Sequence, residues 1–220
     1  QRVAATGTPT VVVIVGGSAV TMGNWIDKVN SIVDVWYPGE EGGHAVAAVL
    51  SGAYNPGGKL PITFPVSEAQ LPLVYNHKPT GRGDDYENLT GLPLFPFGYG
   101  LSYTTFEYSN LMIDKQTAKK GDNITVSFVV TNTGKLAGDE VAQLYLRDQI
   151  ASVARPVQAL KGFERIHLEP GATKTIKLTL LPEDFEMLNA NMQTVIEPGD
   201  FTIMFGSSSR DIRLKKTVQL

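Results

Sequence analysis

The chain has 220 residues, 42% of them apolar, a formal charge of −3 and no cysteine. Such values fit one large or two ordinary soluble domains with a real core, and they exclude disulfides, thiolate chemistry and cysteine-based metal sites. No basic run exceeds Lys119-Lys120 or Lys215-Lys216, and no apolar run nears the roughly 18 residues of a membrane span, so neither a nucleic-acid footprint nor a spanning helix is expected.

The chain opens Gln1-Arg2-Val3 without the charged, apolar and small-residue succession of an export signal, and the reading is that it starts inside a domain. Thr10 to Val15 (TVVVIV) is β-branched and flanked by Pro9 and Gly16-Gly17, the pattern of a strand buried on both faces of a parallel sheet. A short helix is predicted over Asn24 to Asn30 with Asn24 as its cap, then a strand over Ser31 to Trp36. Glu40 to Leu50 reads as a helix, with acids at its positive end and Gly52 as its stop. Alternation of strand and helix indicates an α/β unit.

From Asn55 to Gly100, prolines and glycines break every periodic pattern. An irregular stretch of that length usually serves as an active-site loop, strap or linker. After it the pattern is all-β, with strands expected over 106–113, 123–131, 139–147, 158–167, 173–180, 193–196, 200–205 and 211–218. Turn chemistry separates them at Lys120-Gly121-Asp122, Asn132-Thr133-Gly134, Glu169-Pro170-Gly171 and Glu197-Pro198-Gly199, the last two read as hairpin turns. Such spacing indicates a sandwich of the immunoglobulin or fibronectin type III kind. The expected division is residues 1–105, an α/β part with a long connector, and residues 106–220, the sandwich.

Three constellations bear on chemistry. Ser18 follows a strand, where a serine nucleophile would sit, but Val20 occupies the position that a nucleophile elbow gives to glycine, and a local turn explains it as well. Glu40-Glu41 is an acid pair, yet the two carboxylates of a glycosidase must face each other from separate elements; complementing the helix dipole is the simpler account. His44 is expected to pack against its helix neighbours. The histidines are too scattered for a metal site, and no metal or other cofactor is expected. Thr80 to Leu92 (TGRGDDYENLTGL) has the arginine, acids and tyrosine that bind sugar hydroxyls and stack on a ring face, and it also fits a solvated loop.

Several segments occur in a fixed order: TVVVIV with GSAV after it, WYPGEEGG, NPGGKLPITFP, FPFGYGLSYT, VTNTG, RPVQALKGFER (Arg155 to Arg165) and EPGDF. In that order the chain resembles the C-terminal part of family 3 glycoside hydrolases, the β-glucosidase type. The resemblance implies the end of an α/β sandwich domain followed by a complete fibronectin type III-like domain. It implies retaining, exo-acting hydrolysis of β-glucosides or oligosaccharides, with the aspartate nucleophile and glutamate acid/base both upstream of Gln1 and no catalytic residue here. The missing N-terminal part of the same enzyme would then be the partner, the setting periplasmic or secreted, and Arg82, Asp85 and Tyr86 the candidates for the cleft margin. Two competing readings are a non-catalytic module that binds carbohydrate or protein, and a serine hydrolase using Ser18. Two strands with their helix cannot close a sheet, so the α/β part is expected to need a neighbour.

Overall fold

A computed structural model describes residues 1–80 and 90–220, which fall into two units. Counting described residues only, the first comprises 1–54, 62–73 and 90–95; the second comprises 55–61, 74–80 and 96–220.

In the first unit, β1 (Val11–Ile14) and β2 (Ser31–Asp34) pair in parallel, Val11 opposite Ser31 and Ile14 opposite Asp34. β-branched residues favour this pairing, but Val11 is exposed and the rest of both strands is only partly covered. The strand expected to reach Trp36 ends at Asp34, because Trp36 turns into a left-handed conformation (φ 50). The helix expected over 24–30 shrinks to a single 3-10 turn, Ile26–Lys28, preceded by Trp25 without a side-chain cap. The second helix forms: α1 (Gly42–Ser51) stops at Gly52, whose φ of 78 only glycine adopts at no steric cost. Phe64 anchors the remainder, buried, edge-on to Trp36 and Phe95, with its backbone bonded to Phe95 and Leu94.

The second unit is a seven-stranded sandwich. Its strands are β3 (Phe106–Ile113), β4 (Ile124–Asn132), β5 (Gly138–Asp148), β6 (Ala159–Leu168), β7 (Thr173–Leu180), β10 (Asp200–Gly206) and β11 (Ile212–Gln219), with a small hairpin of β8 (Met187–Leu188) and β9 (Thr194–Val195) inserted before β10. One sheet has the order β3-β4-β7 and the other β11-β10-β5-β6, all antiparallel. β4 shows why the sequence folds so: every second residue, from Ile124 to Val130, is fully buried while its neighbours are half-covered. These side chains meet Leu144, Leu146, Phe201, Ile203 and Phe205 of the facing sheet in one core, Phe128 and Phe205 lying 4.2 Å apart between ring centres. Each such burial stabilises by about 1.5–3 kcal/mol.

Both Glu-Pro-Gly turns depart from the hairpin expectation. Glu169-Pro170-Gly171 joins β6 to β7, and Glu197-Pro198-Gly199 joins β9 to β10; in neither case are the flanking strands paired. Turn residues fix where the chain reverses but not which sheet the next strand enters.

β5 is buried on both of its faces, Tyr145 as fully as Leu144. Its outer face is covered by the irregular segments. Tyr75 stacks on Phe97 (4.3 Å between ring centres) and meets Tyr145 edge-on. The Gln143 amide donates to the carbonyls of Gly98 and Ser207 and accepts from the Tyr145 hydroxyl at 2.5 Å. Gly98 is obligatory there: its φ is 80, and a Cβ would stand 2.1 Å from the Gln143 side-chain oxygen.

Candidate functional site

Arg82, Asp85 and Tyr86 lie outside the described residues. Their flanks are described. In the second unit, residues 74–78 run beside 155–160: the Leu160 amide donates to the Tyr75 hydroxyl (3.1 Å) and the Val157 amide to the His77 carbonyl (2.9 Å). In the first, the buried Gln70 amide donates to the carbonyls of Thr90 and Leu92 and accepts from the Val66 amide.

The acid pair Glu40-Glu41 stands exposed just ahead of α1, and Glu41 makes no capping bond. It accepts instead from His44 Nδ1 at 2.7 Å. His44 is therefore not packed among alanine and valine as expected; its side chain is 89% exposed and held only by Glu41. Ser18 is exposed and forms no hydrogen bond with a histidine among the described residues, so nothing there activates it.

A concavity of about 580 Å³ opens on the second unit between the 153–156 loop, Lys78 and the β8–β9 hairpin. Arg155 forms its back wall. Its terminal nitrogen donates to the Glu186 carbonyl (3.3 Å), while Nε is buried with no hydrogen-bond partner among the described residues, 3.8 Å from the Asp148 carboxylate. Burial pushes Asp148 up, and the Arg155 charge partly offsets it. Met192 and Leu188 form an exposed apolar rim, Met192 in the left-handed conformation (φ 59). Sequence reasoning passed over this feature, because its cations are separated by more than seventy residues and only the fold joins them. The one available signal was Arg155-Pro156 at the head of a strand.

A second charged group sits on the β5–β6 surface. Asp139 accepts from Arg165 Nε (2.8 Å) and from His167 Nδ1 (2.6 Å), and His167 Nε2 lies 3.7 Å from Glu169. The Asp139 hydrogen bond, helped by the Asp139 and Glu169 charges, raises His167 above its ordinary 6.5. Burial opposes ionisation of Asp139, but its His167 and Arg165 hydrogen bonds outweigh this and hold it below 3.8. A raised histidine contributes stability that is complete below pH 6.5 and lost as pH rises through the folded value. The melting temperature is accordingly expected to fall between pH 6 and pH 8.5 by a small margin that His167→Gln removes. Equal pH slopes in the two proteins, read by scanning calorimetry, would refute this.

Comparison with known proteins adds the following. A model described as the glycosyl hydrolase family 3 C-terminal domain matches residues 1–103, and one described as a fibronectin type III-like domain matches residues 140–209. A β-xylosidase of Formosa agariphila is 44% identical over the whole chain, which covers 31% of that protein. A periplasmic β-glucosidase of Salmonella typhimurium is 42% identical over 95% of the chain, covering 29% of its length. The crystal structure of a β-glucosidase from Listeria innocua in complex with glucose superposes with a TM-score of 0.94 at 34% identity, over 99% of this chain and 31% of that one. The chain thus spans about three-tenths of the length of the relatives it matches.

Proposed function

The chain belongs to glycosyl hydrolase family 3, and from that premise we propose that it works as the C-terminal portion of a retaining, exo-acting β-glucosidase-like enzyme that releases terminal sugar from β-glucosides or oligosaccharides. One observation carries the reading: relatives named β-glucosidase or β-xylosidase match essentially all of this chain with about three-tenths of their own length. In a retaining mechanism one carboxylate forms a glycosyl-enzyme while a second protonates the leaving oxygen and then activates water. Neither group is assigned to this chain. Its well-placed acids are already engaged: Glu140 with Lys59, Asp139 with Arg165 and His167, Asp211 with Arg213, Glu41 with His44. The role left to the chain is scaffold and cleft margin, with Arg82, Asp85 and Tyr86 as the groups that meet sugar hydroxyls.

The partner in this reading is the N-terminal part of the same enzyme. The first unit supports it: a two-stranded parallel sheet whose valines remain partly open calls for further strands and covering helices. The name of the Salmonella relative favours a periplasmic or secreted setting. No helix among the described residues is long and apolar enough to cross a membrane.

The test is an aryl β-glucoside assay on the 220-residue chain alone, on an N-terminal polypeptide carrying the remaining length of such an enzyme, and on their mixture. Hydrolysis is expected only in the mixture. Turnover by this chain alone would refute the assignment of both carboxylates to another part.

A further inference from the structure

The concavity beside Arg155 has a ligand chemistry of its own. Two cationic side chains, Lys78 and Arg155, face it together with one acid, Glu186. Arg155 Nε is a buried donor left without an acceptor, and such a group in a folded protein calls for one, because an unmade buried hydrogen bond costs about 1–3 kcal/mol. Asp148 stands too far away, at 3.8 Å, to supply it by a hydrogen bond. The opening is the size of ordinary ligand sites, roughly 300–1,000 Å³. Its wall is otherwise apolar: Met187 and Pro156 inside, Met192 and Leu188 at the lip. Met192 keeps a large apolar side chain 76% exposed on a left-handed backbone, a costly arrangement for a residue with no purpose at the surface.

We infer that this concavity binds a sugar carrying a carboxylate, such as a uronic acid residue, its carboxylate held by Arg155 and Lys78 and its ring lying against Met192 and Leu188. A planar guanidinium fork suits a carboxylate. No aromatic ring lines the opening, so a neutral sugar lacks the stacking platform it needs and charge has to supply the affinity. A bare inorganic anion, in turn, would leave the apolar lip uncovered. Glu186 and Thr194 stand in the same lining as acceptors for ring hydroxyls. The anion and its site follow from these residues alone; the choice of a saccharide rests on the hydrolytic reading above.

The experiment uses the intact enzyme with 13C-labelled methionine methyl groups, titrated with methyl β-D-glucuronoside, methyl β-D-glucoside and inorganic phosphate. Met187 and Met192 are the local reporters. The glucuronoside is expected to shift both signals saturably, and Lys78→Ala and Arg155→Lys are each expected to weaken that binding about tenfold, the loss of a charge-assisted hydrogen bond. Arg155→Lys is preferred to alanine because it keeps a cation near the buried Asp148, and Lys78 is exposed, so its replacement leaves the fold intact. Equal shifts with the neutral glucoside, equal shifts with phosphate, or glucuronoside binding indifferent to both substitutions would overturn the proposal. An enzyme that cleaves aryl glucosides but shows no shift refutes the inference alone; shifts in a protein without glycosidase activity refute the hydrolytic reading and leave the anion site standing.

Discussion

Replacing Lys59 by alanine is expected to destabilise the sandwich by about 3 kcal/mol, the lower end of what removing one partner of a buried ion pair costs. Lys59 Nζ lies 3.2 Å from Glu140 and 3.3 Å from the Gly100 carbonyl, with the side chains of Lys59 and Glu140 only 13% and 5% exposed. Truncation leaves the Glu140 carboxylate in the sheet with only the Val141 amide for company. Attraction between the charges is not what the measurement would report; the penalty comes from desolvating a charge that no longer has a counterion. The companion Glu140→Gln in the Lys59→Ala background should therefore recover much of the loss, giving a coupling energy well above the few tenths of a kcal/mol of independent sites. Denaturant unfolding together with amide exchange in β5 reads both. A Lys59→Ala protein within about 0.5 kcal/mol of the parent would mean that the pair behaves as an exposed one.

The same strap explains its own glycines. A Cβ on Gly57 would stand 2.7 Å from that of Asp139, and one on Gly100 would stand 2.1 Å from the Gly58 carbonyl oxygen. Asn55 completes the attachment by donating to the Ala137 carbonyl and accepting from Ser102 and the Tyr103 amide. The Asn-Pro-Gly-Gly-Lys run thus serves close backbone packing, not ligand binding.

Asn132→Leu is expected to cost more, about 4 kcal/mol, by stranding several polar groups at roughly 1–3 kcal/mol each. Asn132 is fully buried at the end of β4. Its amide donates to the carbonyls of Leu136 (2.8 Å) and Leu168 (2.9 Å), and its oxygen accepts from the Thr104 hydroxyl (2.7 Å) and the Gly134 amide (3.0 Å). Those four partners belong to the connector, the 133–137 turn and the end of β6, so one side chain fixes the corner where the chain passes from one sheet to the other. Leucine matches the volume and meets none of them. A drop in melting temperature accompanied by loss of exchange protection in the 133–137 turn is the expected signature, and Asn132→Ser should lose less. Parent-like stability in the leucine variant would mean that water replaces the amide.

Much of this architecture was written in local pattern. Alternation at a period of two located all seven long strands of the sandwich to within two residues, because each strand buries one face and leaves the other to solvent. Gly52 marked the end of α1 for the same kind of reason: a left-handed residue is a property of its own backbone. The order of short motifs identified the family, since each one is a local solution to a turn or a close approach. Failures occurred where the deciding partner was distant in sequence. Trp25 and its neighbours make only one helical turn, His44 points to Glu41 and solvent, and both Glu-Pro-Gly turns cross between sheets. Polar residues on β5 read as solvent-facing, yet Gln143 and Tyr145 are buried because Phe97, Gly98 and Tyr75 cover them. The meeting of Lys78 with Arg155, and of Lys59 with Glu140, was likewise settled by the fold. Composition and spacing can specify a strand, a turn or a cap, whose energetics involve near neighbours; which charge loses its water to which counterion depends on three-dimensional packing, and only tertiary structure decides it.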